Sequence, residues 1–203
     1  MSAKNNIKAK DLGESYNEIA GWWTDQMRGS DYGMKYVRRA MSLAKKSSKV
    51  LDIGCGSTGR TIDEALSNGF EITGIDVSSE MIRIARDKHP NVNLIIDDFT
   101  TWSSPECFDL IIAWDSLFHA PKKLQRPLTI KMCNLLNNEG VLLFTADGID
   151  DERSGEMEGV QFDYGSLKYL DYLSIVDELG FKIVLMESDQ YPLDHMVFIC
   201  QKR

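Results

Sequence analysis

Three glycines after a short apolar run are the residues of this sequence best suited to hold a ligand. Gly54, Gly56 and Gly59 follow the run 49–53, and a segment of helical periodicity follows them. Glycine lets a backbone turn tightly and approach a ligand closely, while the start of a helix presents unpaired N–H groups. The spacing also satisfies the dinucleotide fingerprint Gly-x-Gly-x-x-Gly, which taken alone is weak evidence. The segment predicts a ligand site where a strand runs into a helix.

Asp52 separates the two ligand classes that suit such a loop. It lies two residues before Gly54, where the pyrophosphate of a nicotinamide or flavin dinucleotide would meet a carboxylate of its own sign. The α-amino group and the sulfonium of S-adenosylmethionine would instead be attracted to that carboxylate. Asp76 follows Gly56 by 20 residues and could accept hydrogen bonds from the two hydroxyls of a ribose, which both ligands contain. The charge of Asp52 thus favours S-adenosylmethionine.

A second group of chemically useful residues closes the apolar run 108–114 and follows it. Trp114 would bound the cofactor or substrate cavity, and Asp115 could attract an amine or a cationic substrate. His119 could act as a base toward a substrate that must lose a proton. Structural roles are the alternatives: His119 could cap the following helix or bond a backbone carbonyl, and Asp115 could complement the helix dipole.

The elements that must position these residues alternate along the chain. Apolar runs at 49–53, 70–75, 92–96, 108–114 and 141–145 alternate with segments of helical period at 61–67, 79–88 and 122–137. Runs that are apolar on both faces are typical of a parallel sheet covered by helices. A further helix ends near Leu179, and the link between the last two strands, 181–188 and 196–201, is too short for a crossover helix. We therefore expect an antiparallel ending to a doubly wound α/β sheet whose ligand lies at the carboxyl ends of the strands.

With that ending, residues 49–201 resemble the class I S-adenosylmethionine-dependent methyltransferases, and Trp114, His119 and Pro121 resemble a subgroup that acts on small molecules. The segments that carry the resemblance are 52–56 (Asp-Ile-Gly-Cys-Gly), 74–81, 97–99, 108–121 and 135–145. The resemblance implies a seven-stranded, mostly parallel sheet with an antiparallel last strand, S-adenosylmethionine as the cofactor, and methyl transfer to a small-molecule acceptor. The family commonly places its third glycine one residue earlier than Gly59, so the path of this loop could differ.

The resemblance also implies which residues bind the donor. The predicted cofactor contacts are Asp52, Gly54, Cys55, Gly56, Asp76, Val77, Asp98, Phe99 and Trp114, and the predicted catalytic residues are Asp115 and His119. Asp98 would take the adenine amino group and Phe99 would lie against the ring, with Asp97 as the alternative acid. No metal site is predicted, because no histidine stands at metal-ligand spacing from another histidine or a cysteine.

We expect one domain, with residues 1–48 as an N-terminal helical cap and 49–203 as the cofactor-binding core. The aromatic residues of the cap either cover the ligand end of the sheet or only anchor its helices; they are Tyr16, Trp22, Trp23, Tyr32 and Tyr36. The acidic stretch 147–163 has no periodic pattern, which is typical of a lid or of a solvated, mobile loop. His89 and His195 are interpreted as turn and packing residues without a function.

Composition limits the partners. The formal net charge of −8 repels phosphate backbones, which argues against nucleic acid. No apolar run reaches the ~18 residues of a membrane-spanning helix, and the N-terminus lacks the apolar segment of a signal peptide. We therefore expect a cytoplasmic protein with reduced cysteines and no membrane partner. The acceptor, the methylated atom and the oligomeric state are left open. A non-catalytic S-adenosylmethionine sensor is the alternative function, and an NAD-dependent oxidoreductase is the third.

Overall fold

The computed structural model describes residues 9–45, 48–190 and 193–203, without the side chains of 9–11. Its helices are α1 (Ala9–Met27), α2 (Met34–Met41), α3 (Arg60–Ser67), α4 (Ser79–Lys88), α5 (Lys122–Asn134) and α6 (Tyr169–Glu178). Its strands are β1 (Lys49–Ile53), β2 (Glu71–Asp76), β3 (Asn93–Ile96), β4 (Phe108–Ala113), β5 (Leu136–Asp147), β6 (Asp151–Met157), β7 (Val160–Ser166), β8 (Phe181–Ser188) and β9 (His195–Lys202).

Seven of these strands form one sheet in the order β3-β2-β1-β4-β5-β9-β8. The first five strands run parallel, and β9 pairs antiparallel with both β5 and β8. This arrangement confirms the predicted doubly wound sheet and its antiparallel ending. The strand order reverses between β1 and β4, and ligands of open α/β sheets bind at such a reversal.

Apolar side chains on both faces of the sheet explain its position between helices. Successive side chains of a strand point to opposite faces of the sheet. Leu110, Ile111 and Ile112 of β4 are all fully buried, so both faces of the sheet are covered at this strand. The helices α2, α3 and α4 contribute buried residues to the apolar core on one face of the sheet, and α5 and α6 contribute to the core on the other. Burial of each such side chain stabilises the fold by about 1.5–3 kcal/mol.

Two predicted boundaries were wrong where α5 meets β5. The helix ends at Asn134, not at 137, and the strand begins at Leu136, not at 141. The backbone N–H of Phe108 donates to the Leu135 carbonyl at 2.8 Å, which joins the chain to β4 directly after the helix. The pairing with β4 shifts register beyond Phe108, so the polar residues 137–139 belong to an irregular part of the strand.

The expectation of an irregular loop over 147–163 was also wrong. The strands β6 and β7 form an antiparallel hairpin. Glu158 and Gly159 form its two-residue turn with φ values of 52° and 77°, the backbone that best fits the twist of a hairpin. Phe162 of β7 is fully buried, and its ring centroid lies 4.9 Å from that of Tyr16 in α1. The hairpin is therefore packed against the N-terminal helix.

Within the ranges described, no helix has both the length and the apolar character needed to cross a bilayer.

Candidate functional site

A cavity of about 450 Å³ opens at the carboxyl ends of β1, β2 and β4, where the strand order reverses. It is lined by all of the residues that the sequence predicted for the site: Asp52, Gly54, Cys55, Gly56, Asp76, Val77, Asp98, Phe99, Trp114, Asp115 and His119. These residues meet because the carboxyl ends of parallel strands share one edge of a sheet. What each contributes to binding or reaction stays a prediction.

The glycine loop passes very close to the segment that follows β4. Gly54 has a φ of 72°, and a Cβ atom on it would lie 2.4 Å from the Cβ of Ser116. Only glycine combines this left-handed backbone with so close an approach. The Gly54 N–H donates to the Ile75 carbonyl at 2.8 Å, which fixes the loop to the end of β2.

Asp76 supports the loop from the end of β2. Its two carboxylate oxygens accept backbone N–H groups of Gly56 and Ser78, each at 2.9 Å. Burial raises the pKa of Asp76, and these backbone donors oppose the rise. Its carboxylate thus connects the glycine loop to the start of α4 and also faces the cavity.

Asp52 is buried beside the same loop, with 3% of its surface exposed. Burial, followed by the charge of Asp76, raises the pKa of Asp52 to about 7, against the opposing effects of Arg60 and Thr61. No described cation forms an ion pair with it. Because a buried carboxylate without a cation is unfavourable, a positively charged ligand group in the cavity would stabilise its ionised form.

The third strand brings two acids to the cavity, and each has a local hydrogen bond. Asp98 accepts from the backbone N–H and the hydroxyl of Thr100 at 2.8 and 2.5 Å, and Asp97 accepts from the backbone N–H of Asp98 at 2.7 Å. Phe99 beside them is buried and lines the cavity. The preference for Asp98 over Asp97 stays a prediction.

His119 forms a half-buried pair with Tyr16 at the cavity wall. The Tyr16 hydroxyl lies 2.7 Å from Nε2 of His119, and Nδ1 lies 3.3 Å from the Asp163 carbonyl. Since a carbonyl only accepts, we assign the proton to Nδ1, so Nε2 accepts from Tyr16. Burial lowers the pKa of His119 to about 4, despite the opposing effects of the Asp163 carbonyl and Asp115. The imidazole is therefore neutral at pH 7.

Asp115 lies at the centre of a network that the sequence did not indicate. It has the left-handed φ of 50°. Its Oδ1 accepts from His195 Nε2 at 2.7 Å and from the Thr145 hydroxyl at 3.1 Å, and its Oδ2 accepts from the Tyr32 hydroxyl at 2.9 Å. Pairing of β5 with β9 places His195 beside Asp147, at the end of the sheet that carries the cavity. The interpretation of His195 as an ordinary packing residue therefore missed its contact with Asp115.

Residues of both N-terminal helices line the cavity. Tyr16, Trp23 and Tyr32 line it, whereas Tyr36 stacks on Trp114 with ring centroids 5.5 Å apart. Trp22 contacts Trp23. Some aromatic residues of the N-terminal segment thus line the cavity, and others pack between the helices and the rest of the chain. Each of the two roles considered for them, covering the ligand end of the sheet and anchoring the helices, applies to some of these residues.

Side-chain contacts fix α1 to the loops around the cavity. The Asn17 side-chain oxygen accepts from the Ser78 hydroxyl at 2.7 Å and from the Glu80 N–H at 3.0 Å at the start of α4. The Thr24 hydroxyl lies 2.6 Å from that of Ser57 in the glycine loop. Over the part of the chain that the structure describes, no cluster of three histidine, cysteine or acidic side chains could hold a metal ion.

The known proteins that this chain matches are described as methyltransferases. Residues 50–140 match the family model of a methyltransferase domain. The Bacillus subtilis (strain 168) protein YqeM, whose name assigns it to the methyltransferases, is 30% identical over 180 residues, which cover 82% of this chain and 72% of YqeM. The ubiquinone biosynthesis O-methyltransferase of Actinobacillus pleuropneumoniae serotype 5b is 31% identical over 159 residues, or 70% of this chain. The chain spans 65% of the length of that relative.

Among solved structures, the fold matches the Burkholderia thailandensis 1,6-didemethyltoxoflavin-N1-methyltransferase, crystallised with 1,6-didemethyltoxoflavin and S-adenosylhomocysteine. The TM-score is 0.71 at 19% identity, and the match covers 100% of this chain and 91% of that one.

Proposed function

The chain belongs to the class I S-adenosylmethionine-dependent methyltransferase family, and we propose that it transfers the methyl group of S-adenosylmethionine to a small molecule whose accepting atom carries a proton. One observation carries the proposal. A single cavity is lined both by Asp52, a buried carboxylate without a described ion-pair partner, and by His119, a half-buried neutral imidazole.

The residues around the glycine loop fit the donor. Asp52 would attract its ammonium group, and Asp76 has carboxylate capacity left for ribose hydroxyls beyond its two backbone donors. Asp98 or Asp97, with Phe99, would bind adenine. When bound, S-adenosylmethionine supplies an electrophilic methyl group on a sulfonium. Cavities of a few hundred Å³ hold small molecules, and the cavity of about 450 Å³ has the size of such a site.

The Tyr16–His119 pair would serve the acceptor. In methyl transfer the protein mainly holds the accepting atom in line and keeps water away. An accepting hydroxyl or amine becomes far more acidic as its new bond forms, so a weak base is sufficient to take the proton. His119 is unprotonated at neutral pH, and its Nε2 reaches the cavity through the Tyr16 hydroxyl.

Two measurements test the proposal. Isothermal titration calorimetry should show binding of S-adenosylhomocysteine and no binding of NAD(H). Transfer of labelled methyl from S-adenosylmethionine should then be measured over a panel of small phenols, alcohols and amines, with formation of S-adenosylhomocysteine as the readout. Binding without transfer to any member of the panel would favour a non-catalytic sensor. Binding of NAD(H) instead would favour an oxidoreductase.

A further inference from the structure

We infer that two copies of this chain pair along the outer edge of β8, with Lys182 of each copy opposite Glu187 of the other. The two strands would run antiparallel about a twofold axis. The inference concerns the oligomeric state and does not depend on the proposed reaction. It rests on the open edge of β8, the register of the sheet and the charges along the strand.

The outer edge of β8 is open in the described part of the chain. β8 is the last strand in the order of the sheet, and its only partner among the described strands is β9. It has eight residues, whereas β3 at the opposite edge has four. An edge strand presents a row of unpaired N–H and C=O groups, which can pair with a strand of another chain. The greater length of β8 makes it the better of the two edges for such pairing.

The register with β9 determines which side chains of β8 share a face. Residues that lie opposite each other in paired strands have their side chains on the same face. Lys182 and Glu187 lie opposite β9 residues four positions apart, so they share one face. Ile183 and Met186 lie opposite β9 residues two positions apart, so they share the other face. Both results depend on the shift of register around Val184, because each pair spans an odd number of positions and would otherwise be split between the faces.

One antiparallel register matches these residues with those of a second copy. Placing Lys182 opposite Glu187 of the second copy also places Ile183 opposite Met186 of that copy, and the twofold axis repeats both pairs. Opposite residues must share a face, and both pairs meet this condition. Ile183 and Met186 are each 38% exposed, so contact between them would remove apolar surface from water. Apolar pairs and pairs of opposite charge both stabilise neighbouring strands.

The charges at the two ends of β8 favour the antiparallel arrangement. Lys182 is exposed near the amino end and has no ion pair with a described residue. Glu187 near the carboxyl end accepts from the Tyr36 hydroxyl and lies 3.5 Å from the Lys35 ammonium, both through Oε1. Its Oε2 is therefore available to the ammonium group of a second copy. Parallel pairing of two β8 strands would instead bring like charges together.

Sedimentation velocity over a dilution series of the full chain tests the inference. The wild type should form a dimer. Lys182→Glu and Glu187→Lys should each raise the Kd of the dimer by about 10-fold, because two attractive pairs become two repulsive ones. An equimolar mixture of these two variants should dimerise as the wild type does, since each mixed dimer again places opposite charges together. Arg39→Glu is the matched control. It makes the same change of net charge at an exposed residue of α2 and should leave the Kd unchanged.

The other outcomes overturn the inference. A wild type that stays monomeric throughout the series would show that the register shift and Lys182 protect the edge against pairing. A dimer whose Kd neither charge reversal changes would form through another surface. Ile183→Glu provides a second test if thermal melting shows that Glu187→Lys, which loses the Tyr36 contact, is unfolded. It places a carboxylate opposite Met186 and must also raise the Kd; an unchanged Kd in this variant would exclude the proposed register.

Discussion

The Nε2 atom of His195 lies 2.7 Å from Oδ1 of Asp115, although 80 residues separate them in the chain. The Nδ1 atom of the same ring contacts the Asp189 carboxylate. Burial disfavours the charged imidazole, but Asp115 and Asp189 outweigh it and raise the pKa of His195 to about 9. The imidazolium compensates the charge of Asp115, which makes this carboxylate less suited to anchor a cationic acceptor than the sequence suggested.

The pairing predicts that His195 stabilises the fold in a pH-dependent way. A histidine whose pKa is higher in the folded than in the unfolded state contributes stability that is fully present below about pH 6.5 and is lost as the pH rises through about 9. His195→Gln should therefore lower the free energy of unfolding by about 1–3 kcal/mol at pH 6 and by clearly less at pH 10. Urea denaturation at both pH values measures this.

His89→Gln is the control, because burial lowers the pKa of His89. Its effect on stability should not change between pH 7 and pH 10. If His195→Gln lowers the free energy of unfolding by the same amount at pH 6 and pH 10, the charge of His195 does not contribute to stability.

Asp52→Asn should stabilise the ligand-free protein at alkaline pH and weaken donor binding. Burial and then Asp76 raise the pKa of Asp52 to about 7, above its ordinary value. The ionised group therefore destabilises the fold increasingly as the pH rises from about 4 to 7, and this effect persists above 7. Asparagine keeps the shape without the charge, so we expect Tm to rise by roughly 2–4 °C at pH 8 and by less at pH 5.

The same substitution removes the anion proposed to attract the donor's ammonium group. Calorimetry should show an affinity for S-adenosylhomocysteine lower by about 10-fold. An Asp52→Asn protein that is less stable at pH 8 and binds as the wild type does would contradict the assigned role of this carboxylate.

The sheet and its glycine loop could be predicted because their signals are local. Each apolar run is continuous, and Gly54 and Gly56 mark the turn that follows one of them. The carboxyl ends of parallel strands lie at the same edge of a sheet. Predicting the strands therefore also predicted that the residues after them lie near one another. Only the edges of β5 and α5 were wrong there, because residues 137–139 are polar and the pairing with β4 is irregular.

The contacts that the sequence could not predict join distant segments. His119 meets Tyr16 across 103 residues, and His195 meets Asp115 across 80. No periodicity links such positions, since they depend on how the cap and β9 pack on the sheet. The β6–β7 hairpin had a local signal in its Glu158–Gly159 turn, but the charged residues around it conceal the alternation that buries Phe162.

Gly54→Ala should destabilise the protein more than an alanine at another left-handed glycine. Gly159 in the hairpin turn has a similar φ, 77° against 72°, but a Cβ there would have no neighbour within 4 Å. Gly159→Ala should thus cost only the backbone strain of about 1–2 kcal/mol. At Gly54 the close contact with Ser116 should add about 1–3 kcal/mol. Equal free energies of unfolding for the two variants would contradict the close approach.

The Tyr16–His119 pair should affect turnover and leave donor binding unchanged. His119→Ala removes the proposed base, which is expected to lower kcat by about 10²- to 10⁴-fold toward an acceptor found in the panel. Tyr16→Phe removes the hydroxyl that donates to Nε2 and should lower kcat as well, since the proton path to the imidazole is broken.

Tyr172→Phe is the matched control, because it removes a buried hydroxyl, bonded to Gln125, from a tyrosine that does not line the cavity. Calorimetry with S-adenosylhomocysteine should give the wild-type affinity for all three variants. A wild-type kcat in His119→Ala would make this histidine structural, and a matching loss in Tyr172→Phe would attribute the effect to packing.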